Sequence, residues 1–168
     1  MEEADNKVKK YFLIINTFKV SYGGRKMPIK PKKQTKFQAS QLWVKDLQRS
    51  IYKAQFGDVS AIYPNNGTES LEHLEAKCMA MKIILEKGNY GYSEVTLNGG
   101  RIDIVDSTEK IFIEFETELT DEIKKYKRER FDNELVGEII FIDLKKLPEG
   151  RGERFEEIKR KINEVDSD

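Results

Sequence analysis

Three acids interrupt two otherwise apolar stretches of this 168-residue chain. In "RIDIVD" (101–106) Asp103 stands among Ile102, Ile104 and Val105; in "KIFIEFET" (110–117) Glu114 and Glu116 stand among Ile111, Phe112, Ile113 and Phe115. Both stretches read as β-strands, where a carboxylate next to a core is costly unless something neutralises it. Strand alternation puts Ile102 and Ile104 on one face and Asp103 with Val105 on the other. It likewise separates Ile111, Ile113 and Phe115 from Phe112, Glu114 and Glu116. If the strands are neighbours, Asp103 and Glu114 converge. Two carboxylates held close repel, and a divalent cation is the natural remedy; hard oxygen ligands suit Mg²⁺ or Mn²⁺ better than zinc. Acids on a solvated face, paired with lysines, are the plainer alternative.

A helix precedes the strands. "LEHLEAKCMAMKIILEKG" can be capped by Thr68 or Ser70 and stops at Gly88. Leu71, Leu74, Cys78, Met81 and Leu85 recur at 3, 4, 3, 4 spacing and predict its core stripe. At about 100° per residue, His73 and Lys77 lie about 60–100° from that stripe, on the flank shared by Ala80 and Ile84. His73, the only histidine of the chain, and Lys77 therefore sit where they could look toward the strand acids.

The elements that must position these groups follow in order. "KYFLIINTFKVSY" (10–22) reads as a strand, residues 25–36 as an exposed loop with two prolines and six bases, and 37–56 as a helix with Leu42, Leu47 and Ile51 among its apolar positions. "YPNNGTES" (63–70) is a break. After the helix come "YSEVTL" (92–97), a turn at Asn98-Gly99-Gly100 and "RIDIVD", a β-hairpin. "KIFIEFET", a helix opening at Thr120, a strand at 137–144 and a closing helix complete the order α-β-β-β-α-β-α, which predicts a mixed sheet flanked by helices. Residues 1–62 read as a basic extension of strand, loop and helix packed on a core of residues 63–168, together one compact domain.

Residues 68–144 resemble the PD-(D/E)XK nuclease superfamily, the restriction-endonuclease-like fold. The pattern is a helix bearing a polar residue, a hairpin, Asp103 in its second strand, ten residues, then Glu114-Phe115-Glu116 in the third. "EHLEAK" is similar to the His-x-x-x-Lys helix of some members. The resemblance implies an α/β core of order α-β-β-β-α-β and metal-assisted hydrolysis of phosphodiesters. Asp103 and Glu114 would hold Mg²⁺ or Mn²⁺, with the Phe115 carbonyl as a further ligand. Glu116 stands where the pattern has lysine, as in members that carry E-x-E, and would be a ligand or a proton acceptor. The missing cation would come from Lys77 first, then Lys124 or Lys125, with His73 beside them. Glu69, Glu72 and Glu75 all remain candidates for the acid facing the site.

Charge points the same way. Residues 6–45 carry 11 Lys and Arg and no acid, whereas the whole chain has a net charge of zero. Such a stretch either attracts a polyanion or is a solvated lysine-rich surface; on the first reading Arg25, Lys26, Lys30, Lys32, Lys33 and Lys36 are the expected phosphate contacts, with DNA the first partner. A 38% apolar, 36% charged composition describes a soluble globular protein. No apolar run is long enough for a membrane span, and residues 1–10 carry no apolar signal segment, so the expected location is the cytoplasm. One cysteine, Cys78, makes neither an internal disulfide nor a thiolate zinc site. The expected activity is an Mg²⁺-dependent deoxyribonuclease. Two other readings stand: an inactive nucleic-acid-binding module on the same fold, or a regulatory protein binding through its basic arm. Homodimerisation is open, as are DNA or RNA, duplex or single strand, and nicking or cutting.

Overall fold

The computed structural model describes residues 35–50, 54–62, 69–131 and 134–164. The strand expected at 10–22, the loop bases Arg25, Lys26, Lys30, Lys32 and Lys33, and also Ile51 and Thr68, lie outside the described residues. The fold is α+β: a four-stranded mixed sheet flanked by helices. Among the described residues no helix is long and apolar enough to cross a membrane.

Helix α1 (Lys36–Arg49) starts at a capping box, with Thr35 Oγ1 accepting the Gln38 N–H and Gln38 Oε1 accepting the Thr35 N–H, both at 3.2 Å. It is shorter than expected: Ser50 is extended, and Gln55 makes an isolated bridge to Thr96, so the helix does not run to Phe56. Leu42 is exposed, and the buried face is Ser40, Trp43, Val44 and Leu47. Helix α2 (Leu71–Glu86) is capped by Ser70 and ends at Gly88, whose φ of +70° suits a residue without Cβ.

Strands β1 (Gly91–Leu97), β2 (Gly100–Asp106) and β3 (Ile111–Glu116) form an antiparallel meander. Asn98 and Gly99, both left-handed, make the two-residue turn between β1 and β2. Helix α3 (Asp121–Phe131) crosses over to β4 (Glu138–Asp143), which pairs parallel to β3 from Ile111↔Glu138 to Glu116↔Asp143. Helix α4 (Arg151–Glu164) closes the chain. α2 and α4 pack with Ile104, Ile111, Ile113 and Phe115 on one face of the sheet. α1 and Phe131 of α3 pack with Val95, Ile102, Val105 and Phe112 on the other.

Two expectations are corrected. Leu71 is 81% exposed, and Cys78 and Leu85 are also exposed. α2 instead buries Ala76, Lys77, Met79, Ala80, Met81, Ile83 and Ile84. The flank that carries His73 and Lys77 is thus the packed face. Nor do Ile102 and Ile104 share a face, because alternation along β2 breaks at Asp103. Opposite that break, Glu94 of β1 is left-handed (φ +54°), and the β1–β2 register passes from Ser93↔Ile104 to Val95↔Ile102 without pairing the residues between.

Candidate functional site

β2 and β3 pair only from Asp106↔Ile111 to Ile104↔Ile113 and then part. At the fork the Phe115 N–H donates to Asp103 Oδ2 at 2.8 Å, so a side chain takes the place of a ladder carbonyl. The kink in β2 thereby holds the Asp103 carboxylate against the β3 backbone. His73 reaches the same oxygen from α2, with Nε2 3.1 Å from Oδ2, while its Nδ1 lies 3.1 Å from Glu69 Oε1. The hydrogen bond to Asp103 raises the imidazole pKa above its ordinary value despite the opposing effect of burial.

Glu69, just ahead of the Ser70 cap, is the acid that faces inward. Glu72 and Glu75 turn to α4, where they meet Arg154 and Arg151. Lys77 is fully buried, with Nζ 2.6 Å from Glu69 Oε1 and 2.5 Å from Glu94 Oε1. Burial pulls its pKa down, but the bonds to Glu69 and Glu94 outweigh it and the ammonium is retained. The left-handed backbone of Glu94 directs its carboxylate to both Lys77 and Arg101, the latter at 3.2 Å. Lys77 is therefore spent inside the protein, not free to meet a phosphate.

On β3, Glu114 is 1% exposed and Glu116 lies at the rim. Lys127 of α3 reaches both, contacting Glu114 Oε2 and Glu116 Oε1. Burial, then the charge of Asp103, pushes the Glu114 carboxyl up to about 8, with Lys127 opposing. Glu114 Oε1 is buried and has no hydrogen-bond partner among the described residues. Lys127 is itself held charged: burial lowers its pKa, and the two glutamates more than offset this.

The five sequence-expected residues are thus drawn into two linked clusters. Asp103, His73 and Lys77 belong to the α2 side, joined by Glu69 and Glu94; Glu114 and Glu116 belong to the α3 side, joined by Lys127. Among the described residues, no three or more His, Cys, Asp or Glu side chains are gathered as a ready ion cage. Lys124 and Lys125 pair instead with Asp121 and Glu129 on their own helix. Lys36 opens α1 and donates to Asn89 Oδ1 at 3.1 Å, away from the loop setting expected for it. The unexpected residue is Lys127, and a signal for it exists: Ile123, Lys127 and Phe131 recur at spacing four, so this lysine sits in the inward stripe of α3.

The chain matches no protein-family model, no curated protein and no solved structure.

Proposed function

We propose that this chain is a metal-dependent nuclease, hydrolysing phosphodiester bonds of nucleic acid, DNA first, on a core that resembles the restriction-endonuclease-like fold. The observation that carries the reading is Glu114: a buried carboxylate with one oxygen unpartnered and its pKa pushed up to about 8 beside a second acid, Asp103. One ammonium, Lys127, serves Glu114 and Glu116 together, so the acids exceed the positive charge next to them. Such a hard-oxygen donor set fits Mg²⁺ or Mn²⁺. Asp103 and Glu114 would hold the ion, with the Phe115 carbonyl as a further oxygen ligand. When bound, it would polarise the scissile phosphate and lower the pKa of a bound water.

The chain's own residues supply the remainder. The Phe115 N–H and His73 fix Asp103 Oδ2, leaving Oδ1 as the oxygen to offer an ion. Glu116, at the rim, would accept the proton released as water adds its oxygen to phosphorus and the ester oxygen departs with the bonding pair. Arg25, Lys26, Lys30, Lys32 and Lys33 would grip phosphates of the nucleic acid.

The test is incubation of linear and supercoiled DNA with Mg²⁺ or Mn²⁺ and gel analysis, beside Asp103→Ala and Glu114→Ala. Metal-dependent cleavage lost in both variants is the expected result. A parent that leaves both DNAs intact with either ion overturns the enzymatic reading. The non-catalytic binding module has one observation in its favour, the ion pairing of Lys127 with both β3 acids, and predicts retention of DNA without cleavage.

A further inference from the structure

Position 116, at the end of the β3 acid pair, carries glutamate and so brings no positive charge to the cleft. Of the three lysines of α2 and α3 that sequence offers for the task, Lys77 is sealed between Glu69 and Glu94, and Lys124 and Lys125 pair outward. Lys127 differs from all of them. Its ammonium touches both β3 acids, its side chain is 22% exposed, and it stands on a helix anchored at its far end by the buried Phe131 ring. It is thus rooted in the core and open at its tip.

We infer that Lys127 is the exchangeable cation of this acid cluster: it pairs with Glu114 and Glu116 until a divalent ion arrives, then turns its ammonium to the substrate phosphate. The inference rests on the nuclease reading. Glu114 has two oxygens, of which Oε2 is taken by Lys127 and Oε1 is not hydrogen-bonded among the described residues. An ion entering at Oε1 brings two positive charges within a few ångströms of the ammonium. Like charges so close beside the buried Glu114 repel, and the ammonium is the mobile partner because it sits on a flexible four-carbon stem. A phosphate bridging toward the ion offers it a new anionic partner. There Lys127 would stabilise the charge that builds on the phosphate oxygens as water attacks.

Two readouts on the same preparations test this: Mn²⁺ binding by calorimetry without DNA, and cleavage of linear duplex at saturating Mn²⁺. Lys127→Met is expected to bind Mn²⁺ several-fold more tightly than the parent, since no ammonium competes, and to cleave about 100-fold more slowly. Lys127→Arg keeps the charge and should keep the parent's weaker Mn²⁺ binding. Cleavage by Lys127→Met at the parent rate overturns the catalytic half, and Mn²⁺ affinity equal to or below the parent's overturns the exchange. A parent that neither binds Mn²⁺ nor cleaves defeats the nuclease reading itself, which separates the two failures. If Lys127→Met fails to fold by circular dichroism, Lys127→Gln replaces it in both readouts, and the same outcomes decide.

Discussion

The fully buried ammonium of Lys77 lies 2.5 Å from the carboxylate of Glu94, a residue whose backbone is left-handed in the middle of a strand. A non-glycine residue in that conformation costs roughly 1 kcal/mol or more, and it persists because the ion pair and the β1–β2 ladder on either side hold it. Removing the lysine alone takes away the buried ammonium that Glu69 and Glu94 share, leaving Glu69 to His73 and Glu94 to Arg101. Lys77→Met should destabilise the fold by about 3–5 kcal/mol in chemical denaturation. Lys77→Met/Glu69→Gln/Glu94→Gln should recover a large part of that loss. Equal losses in both would show that the lysine stem, not its charge, matters.

Glu114 makes stability depend on pH. Its folded pKa, about 8, lies above the ordinary carboxyl value, so the folded chain holds this proton more tightly than the unfolded chain does. The group's contribution is therefore fully favourable below about 4.5 and is lost progressively as pH rises toward 8. Glu114→Gln should flatten the fall of Tm between pH 5 and pH 9 and raise Tm most at the alkaline end. Parallel Tm curves for parent and variant would exclude Glu114 as the source.

Trp43 tests whether the core begins at α1. Its ring is 4% exposed, its Nε1–H donates to the Leu135 carbonyl at 2.6 Å, and it meets Phe56 and Phe112 edge-on. Trp43→Ala should cost about 3–5 kcal/mol. A fragment starting at residue 63 should accordingly fail to give a cooperative unfolding transition. A fragment with the full transition would make α1 dispensable.

Gly100 joins the hairpin to α3. A Cβ there would lie 2.7 Å from both Arg130 Nε and the Phe131 ring. Arg130 also donates to the Asn98 and Gly99 carbonyls, and Asn98 returns a bond to the Arg130 carbonyl, so α3 is clamped to the turn. Gly100→Ala should destabilise by about 1–3 kcal/mol and shift α3. If Lys127 acts as inferred, this variant loses cleavage beyond its loss of stability, whereas its thermal melt remains cooperative.

The basic segment makes a prediction of its own. On duplex DNA the slope of log K against log[salt] should flatten by about 0.9 for every phosphate the protein no longer neutralises. Replacing Arg25, Lys26, Lys30, Lys32 and Lys33 by glutamine should weaken binding to unrelated sequences alike while Mn²⁺ binding stays unchanged. Lys36 is better left in place, since it bonds Asn89 within the fold. An unaltered salt slope would mean these bases are only solvated.

Much of the fold is legible from residues alone where chemistry is local. Ser70 caps α2, Asn98-Gly99 turns the hairpin, and the alternation in β3 puts Glu114 and Glu116 opposite Ile113 and Phe115. Tertiary contacts set the rest. Alternation in β2 fails at Asp103 because Glu94 distorts the facing strand, an event no single-strand pattern records. Glu69 lies ahead of the cap, off the helical wheel that places His73 and Lys77. Lys127 hides among four other bases of α3, and only the spacing of Ile123 and Phe131 sets it apart from them.

Helix α2 offers two sides for docking. Leu71, Leu74, Cys78 and Leu85 make one oily side; Ala76, Met79, Ala80, Ile83 and Ile84 make another, nearly half a turn away. Hydrophobicity alone discriminates weakly between them, and the leucine-rich side, the more greasy of the two, is largely left in water. What breaks the tie is Lys77. Docked on the leucine side, its ammonium would miss Glu69 and Glu94, and these inward-facing acids would lose the positive charge they share. The ion triad thus acts as a key that admits one rotational setting of the helix. That same setting is the one that brings His73 to Asp103, so the choice of how the helix sits and the assembly of the cleft are a single event.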